Sequence, residues 1–383
     1  MIHIEKFLHK IPFLSLKLPL SFWGALGFIS GIFLAHHSLL LIAPTLIVAM
    51  CLKKDVCLNT KIMFLFTFLG LATYMYSSSY TRLPVPTLKN VIVEGVITDK
   101  AFIDHSFWKH RVRLNVSKIK TDQGLLPYPF VVYIYSRNRI YGWVQDTIQC
   151  GPLTIKEPAE GGFALYLKRE GVAGTSFSDK ILYTKVHRPT RSFLNWIFWQ
   201  RELLQIKLRK KFSRQTFSLF SSLFIGNRNP VTNTLAPHKQ HFKKWGILHH
   251  LARSGLHLIV FIMIWHFLLN SLPLSFACKH FIISFFLLTY FLFSWSSLSF
   301  LRAFIVYALY KAGTFAQSKV HPLHAICSVC LLLLLHNPFH VFFLDFQLSF
   351  LLSFCLLWIT HIDHQRNIFH YKSLAEKNKK NLS

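Results

Sequence analysis

Residues 276–294 read FACKHFIISFFLLTYFLFS. The stretch is almost continuously apolar, and about 20 such residues are what the hydrocarbon core of a bilayer requires of a helix. Similar runs surround it. Further spans are expected near 247–270, 299–315, 321–336 and 340–360, before a polar tail with Lys372, Lys377, Lys379 and Lys380. Behind an N-terminus carrying Lys6, Lys10 and Lys17, residues 19–36 and 38–52 read as two apolar segments joined at His36-His37, and 62–78 as a third. Each of these three is about 15 to 18 residues, the lower end of the spanning range. A cleaved signal peptide is the rival for the first, and it is disfavoured because no small-x-small site closes the run.

The whole composition agrees. Of 383 residues, 52% are hydrophobic and 38 are Phe, which argues against an ordinary soluble globular protein. The same chain carries 43 Lys+Arg against 15 Asp+Glu, a net charge of +28. Such a balance favours an anionic partner, nucleic acid or anionic lipid. The alternative is that the excess only orients loops by the positive-inside rule. The seven Cys form no disulfide framework. Cys327-x-x-Cys330 resembles a redox or zinc motif but sits in an apolar stretch with no second pair, where small buried side chains are the plainer reading.

Between about 82 and 190 the character changes. Val91, Val93, Gly95 and Ile97 alternate with other residues, then Val112, Leu114 and Val116, then Val131 to Tyr135. Thr98-Asp99-Lys100, Asp122-Gln123-Gly124 and Gly151-Pro152 read as turns between them. Short strands at regular spacing predict one small β domain, and a five-stranded OB-like barrel is preferred because such barrels hold nucleic-acid strands on one face. A basic amphipathic stretch follows at 193–226, with Arg201, Lys207, Arg209, Lys210, Lys211 and Arg214, suited to a membrane surface. Loop chemistry comes at Gly226 to Pro230, and a second short basic helix is expected over 233–245.

The fold class is therefore mainly α, with polytopic transmembrane helices and an inserted all-β, OB-like domain. Its parts are 1–80 (N-terminal transmembrane helices), 81–190 (β domain), 191–245 (basic surface helices), 246–360 (a second transmembrane domain) and 361–383 (basic tail). With the N-terminus in the cytoplasm, the β domain falls outside, and Lys53-Lys54, Lys279 and Lys319 fall on inner loops. The outer loops at 295–298 and 337–339 hold no charge, as the positive-inside rule asks.

Residues 246–258, GILHHLARSGLHL, bring small and polar side chains to the start of a span. On a helix His249, Arg253 and His257 share one face. Ionisable groups at membrane depth face a bundle interior or a watery path. For the His residues headgroup contact is the plainer reading; for Arg253, beside Ser254 and Gly255, a pore or packing role is preferred.

This stretch resembles the Gly-x-x-His-Leu-Leu-Ala-x-Ser-Gly-Leu-His signature of the ComEC family of competence proteins. Four other motifs match in order: Gly161 to Gly174, which resembles the close of that family's soluble domain; Leu223 to Arg228; Ser299-Phe300-Leu301-Arg302-Ala303; and Asn337-Pro338 with Leu344 to Phe350, which includes Asp345 and Gln347. Asn227 stands where the family's loop has Asp, Leu298 where it has Pro, and Arg253 where it more often has an apolar residue. The resemblance implies a bacterial inner-membrane protein with a periplasmic OB-like domain, passing single-stranded DNA into the cytoplasm during natural transformation. It implies a periplasmic DNA receptor outside, and a helicase-like ATPase and single-strand-binding proteins inside. Long members carry a metallo-β-lactamase-like domain; this chain is expected to be a short form without it, and His361-Ile362-Asp363-His364 has nothing downstream to complete a metal site. No cofactor, metal or catalytic residue is expected, and no Gly-Lys dipeptide exists to form a phosphate loop. A passive conduit driven by partners follows.

The residues themselves support a strand of DNA as cargo, since cations track phosphates and aromatic rings stack bases. Trp108, Lys109, Arg111 and Arg113, then Lys118 and Lys120, then Tyr133, Tyr135, Arg137 and Arg139 interleave the two types. The competing view is that the aromatics fill the barrel or rest on lipid. A membrane-bound nuclease and a small-molecule or lipid transporter are the rival functions. Arg302 and Asp345, of opposite sign on separate spans, are expected to pair. Reversing both charges should then restore more transformation than reversing either; a double reversal no better than the worse single discards the pairing.

Overall fold

A computed structural model describes residues 20–37, 58–83, 85–102, 108, 110–121, 124–126, 129–138, 142–178, 183–187, 193–226, 244–245, 255–294, 297–318, 320–357, 359–360 and 363. The expected span at 38–52 and most of the helix expected over 233–245 lie outside them. Two compact units are present, Met1–Tyr76 with Ile305–Ser383, and Ser77–Phe304.

The first unit holds helices α1 (Leu20–His36), most of α2 (Leu58–Tyr80), and the helices that follow residue 305. α1 and α2 cross at backbone contact. A Cβ on Gly27 would lie 2.0 Å from the Met63 carbonyl oxygen, one on Gly31 1.9 Å from that of Thr67, and one on Gly70 2.2 Å from that of Phe28. Small residues four apart let two apolar helices approach this closely, so that van der Waals packing replaces side-chain burial as the source of association.

The second unit is built on a closed ring of five strands. β1 (Thr87–Phe102) pairs antiparallel with β2 (His110–Thr121), and β2 with β4 (Phe130–Ser136). β4 runs parallel to β6 (Gly174–Ser178), β6 pairs with β5 (Thr147–Lys156), and β5 returns to β1. β3 (Gly124–Leu126) hangs on β2 and β7 (Tyr183–His187) on β5. The alternation read from the sequence points into the ring, where Val91, Val93, Ile97, Val112, Leu114, Val116, Phe130, Val132 and Ile134 meet Ile148, Cys150 and Ile155. Burial pushes the Cys150 thiol up to about 12.

Two expected turns are strand instead. Thr98-Asp99-Lys100 continues β1 through a bulge after Ile97. Gly151-Pro152 lies within β5, between Cys150 and Leu153, where the register against β1 shifts. The proline, which has no N–H to give, therefore falls at a break in the ladder, which is where a strand tolerates one. A helix absent from the expectation, α3 (Gly162–Arg169), links β5 to β6.

Beyond the barrel come α4 (Phe193–Lys211) and α5 (Arg214–Phe220), which runs into a wide π turn at Ser221–Ile225. Ser213, whose hydroxyl accepts from the Thr216 N–H, caps α5 and divides what the sequence suggested as one amphipathic stretch. Apolar helices follow: α6 (Gly255–Asn270), α7 (Phe276–Phe293), α8 (Leu298–Phe315), α9 (Pro322–His336) and α10 (Leu344–Leu357). Among the described residues α2 and α7 are long and apolar enough to cross a membrane; α1, α6, α9 and α10 are shorter. Their outward sides carry large apolar residues, among them Phe68, Met263, Phe267, Phe281 and Leu351.

Gly31→Leu should lower the stability of the full chain in detergent by about 1–3 kcal/mol. Gly162→Ala, where an added Cβ meets nothing within 4 Å, should leave the melting midpoint unchanged. Equal midpoints for Gly31→Leu and wild type would contradict the α1–α2 crossing.

Candidate nucleic-acid interface

The outer row of β2 runs Arg111, Arg113, Asn115, Lys118, Lys120, while Val112, Leu114 and Val116 point inward. Cross-strand register sets Arg111 opposite Tyr135 and Arg113 opposite Tyr133 on β4. The sequence foresaw this interleaving of cations and rings. It did not foresee that α3 lies over it.

Tyr133 is 1% exposed, packed with Tyr135 against Leu167 of α3 and Val172 after it, with Trp108 and Tyr166 at the edge. Burial raises the pKa of both tyrosines. The Arg111 guanidinium stands 4.5 Å over the Tyr133 ring, donates to the Tyr166 hydroxyl at 3.3 Å, and faces Asp99 at 4.0 Å. Burial alone would lower the Arg111 pKa, but Tyr133, Tyr166 and Asp99 outweigh it and the net shift is upward. Arg113 donates to the Glu170 carbonyl at 2.6 Å. Arg111, Arg113, Tyr133 and Tyr135 thus form a clasp holding α3 on the barrel. As expected base-stacking residues Tyr133 and Tyr135 are corrected: a ring beneath a helix has no face to offer.

Lys118, Lys120 and Arg137 are exposed, and Trp108 is half-buried. Lys118 reaches Glu94 only at 4.0 Å, an exposed pair of little energetic weight. Lys109 and Arg139 lie outside the described residues. Phe177 on β6, which the sequence reading passed over, is exposed and stacks on Tyr135 with ring centroids 4.7 Å apart. Its position in a five-residue strand gave no periodic signal. Three acids of the barrel have structural partners: Asp99 and Glu94 face Arg111 and Lys118, and Asp146 accepts from the Trp143 N–H at 2.7 Å. Among the described residues no cluster of three or more His, Cys, Asp or Glu could hold a metal ion.

The helical motifs are arranged as follows. His249, Arg253 and Ser254 lie outside the described residues. Gly255 opens α6 against α8: a Cβ there would lie 3.1 Å from that of Ala303 and 3.5 Å from the Ser299 carbonyl oxygen. His257 and Arg302 are half-buried on α6 and α8. The π turn is tied to α7 by the Tyr290 hydroxyl, which donates to the Phe224 carbonyl at 2.8 Å. In the other unit Asn337 Oδ1 accepts from the Phe339 N–H at 3.0 Å and so caps the turn Pro338–Phe342. Gln347 donates from Nε2 to the Val341 carbonyl at 2.9 Å, and Asp345 accepts from the Phe346 N–H. These last motif residues shape one corner.

Residues 223–380 match the family described as Competence protein. The match spans less than half of the chain, and that region resembles the competence-protein family. ComE operon protein 3 of Bacillus subtilis (strain 168) is 33% identical over 124 residues, which cover 32% of this chain and 16% of that protein. The chain thus aligns with under a fifth of its relative's length. No solved structure matches it. The competence-family region begins at Leu223, inside the π turn, and takes in α6 to α10. The barrel lies before it.

Arg113→Ala should loosen α3, since hydrogen bonds to charged groups are worth about 1.5–3 kcal/mol. Amide hydrogen exchange at Leu167 and Val172 should quicken by about tenfold or more, with Val93 and Leu114 in the barrel unchanged. Uniform exchange across the barrel would show that Arg113 does not clasp the helix.

Proposed function

We propose that this chain is a competence-family, polytopic protein of the bacterial cytoplasmic membrane that passes one strand of DNA inward during natural transformation, with its barrel on the periplasmic side. The observation that carries the reading is the family match over 223–380, a region of successive apolar helices with apolar outward faces. Backbone polar groups in lipid must be satisfied internally, and helices of this kind do so.

The barrel supports the same reading. Its strand order β1-β2-β4-β6-β5, with β4 and β6 parallel and β5 closing on β1, supports the OB-like reading of a small barrel that holds a nucleic-acid strand. Exposed cations on its outer row suit a phosphate backbone. The barrel segment's own excess of Lys and Arg over Asp and Glu is not explained by loop orientation, because a long translocated domain is exempt from the positive-inside rule.

Moving one full charge inward against 100 mV costs about 2.3 kcal/mol, so a long polyanion needs a motor. The work is assigned to a helicase-like ATPase and single-strand-binding proteins in the cytoplasm, with a periplasmic receptor delivering the DNA. The chain itself is a conduit, not a catalyst.

In a strain lacking the gene, labelled DNA should reach the periplasm and stall there. Normal arrival in the cytosol would refute the conduit. Purified protein should leave DNA intact with Mg²⁺, Mn²⁺ or Zn²⁺; cleavage would transfer the reading to a nuclease. Loss of small-solute or lipid transport with normal transformation would make it a transporter.

A further inference from the structure

Phe177 is half in water. Its side chain is 51% exposed at the end of β6, yet its ring lies parallel to Tyr135, with 4.7 Å between centroids and 11° between planes. Trp108 braces it from the side at 5.5 Å. Parallel register places Tyr135 directly beside Phe177 on the neighbouring strand, and Tyr135 is itself buried under α3. One face of the Phe177 ring is therefore held by a fixed ring, and the other is open.

A cation stands at the same rim. β4 ends at Ser136, which pairs with Ser178, the residue after Phe177, and the next residue is the exposed Arg137. An open aromatic face beside a guanidinium is the pair that holds unpaired nucleic acid, the ring taking a base and the cation its phosphate. A duplex does not fit as well, because its bases keep their faces stacked inside.

We propose that Phe177 is the base-stacking residue of the barrel, holding one unpaired base on its open face while Arg137 takes the adjacent phosphate. This rests on the reading that the barrel contacts single-stranded DNA. It moves the contact from the Tyr133–Tyr135 face, which α3 closes, to the rim where β4 and β6 end.

The test uses the full chain in detergent and fluorescence anisotropy at fixed salt. One probe is a fluorescein-labelled 20-mer of thymidylate; the other is an abasic phosphodiester of equal length, with the same charge and no rings. Phe177→Ala should weaken thymidylate binding by about tenfold, the lower range for loss of one stacked base, and leave abasic binding unchanged. Phe177→Trp should bind thymidylate at least as well as wild type, and Arg137→Ala should weaken both probes. Unchanged thymidylate affinity in Phe177→Ala, as expected of a ring resting on lipid, overturns the proposal and leaves the conduit standing. If Phe177→Ala loses both probes, Phe177→Trp decides: retained thymidylate binding supports stacking, and loss overturns it. If wild type binds neither probe, the barrel's contact with DNA falls as well.

Discussion

β1 is bonded along both edges. It pairs with β2 from Ile92 to Phe102 and with β5 from Thr87 to Val96, so the stretch from Ile92 to Val96 lies between the two. That shared stretch closes the ring. A strand with one partner would leave a row of N–H and C=O groups open to other chains, and buried groups of this kind are costly unpaired. Bulges let one strand serve two ladders: the register slips after Glu94 and Ile97 on one side, and after Leu88 and Val91 on the other. Closure then dictates the rest. Inward positions fill a core, and outward positions of β2 and β4 become a surface.

That surface is divided between two duties by energy. Arg111 and Arg113 are tied to α3 by charge-assisted bonds and ring contact, and each such bond contributes about 1.5–3 kcal/mol. Lys118 holds Glu94 at the outer limit of an ion pair, an exposed interaction worth about 0–1 kcal/mol. A phosphate can replace Glu94 at little cost, but it cannot replace the Glu170 carbonyl without lifting a helix. Identical charges on one strand thus differ in availability because of what stands above them.

Much of this was legible in the sequence. Alternation at Val91, Val93 and Ile97 and at Val112 to Val116 marked the strands, because a half-buried strand must repeat every two residues. The apolar runs marked α1, α2 and α7 to α10 to within about four residues of the described ends, and the end of α6; the span expected from 247 is described from Gly255. Other features carried no local signal. Thr98-Asp99-Lys100 has turn chemistry but sits in a bulge, where the same residue types are tolerated. α3 has eight residues, too few for a helical period to declare itself. Tyr133 was legible as an aromatic on an outward position; that a helix formed thirty residues later would cover it is a tertiary fact. Phe177 was missed for the converse reason, since its exposure depends on where β6 ends.

The close approach of Gly255 to Ala303 and Ser299 joins two motifs that lie far apart along the chain. Residues 255 and 303 occupy one small volume between α6 and α8. A methyl gained at either has to be surrendered at the other, or the helices separate. Homologous chains should therefore record this as a paired inheritance: where one position grows, its counterpart shrinks, and the sum stays constant.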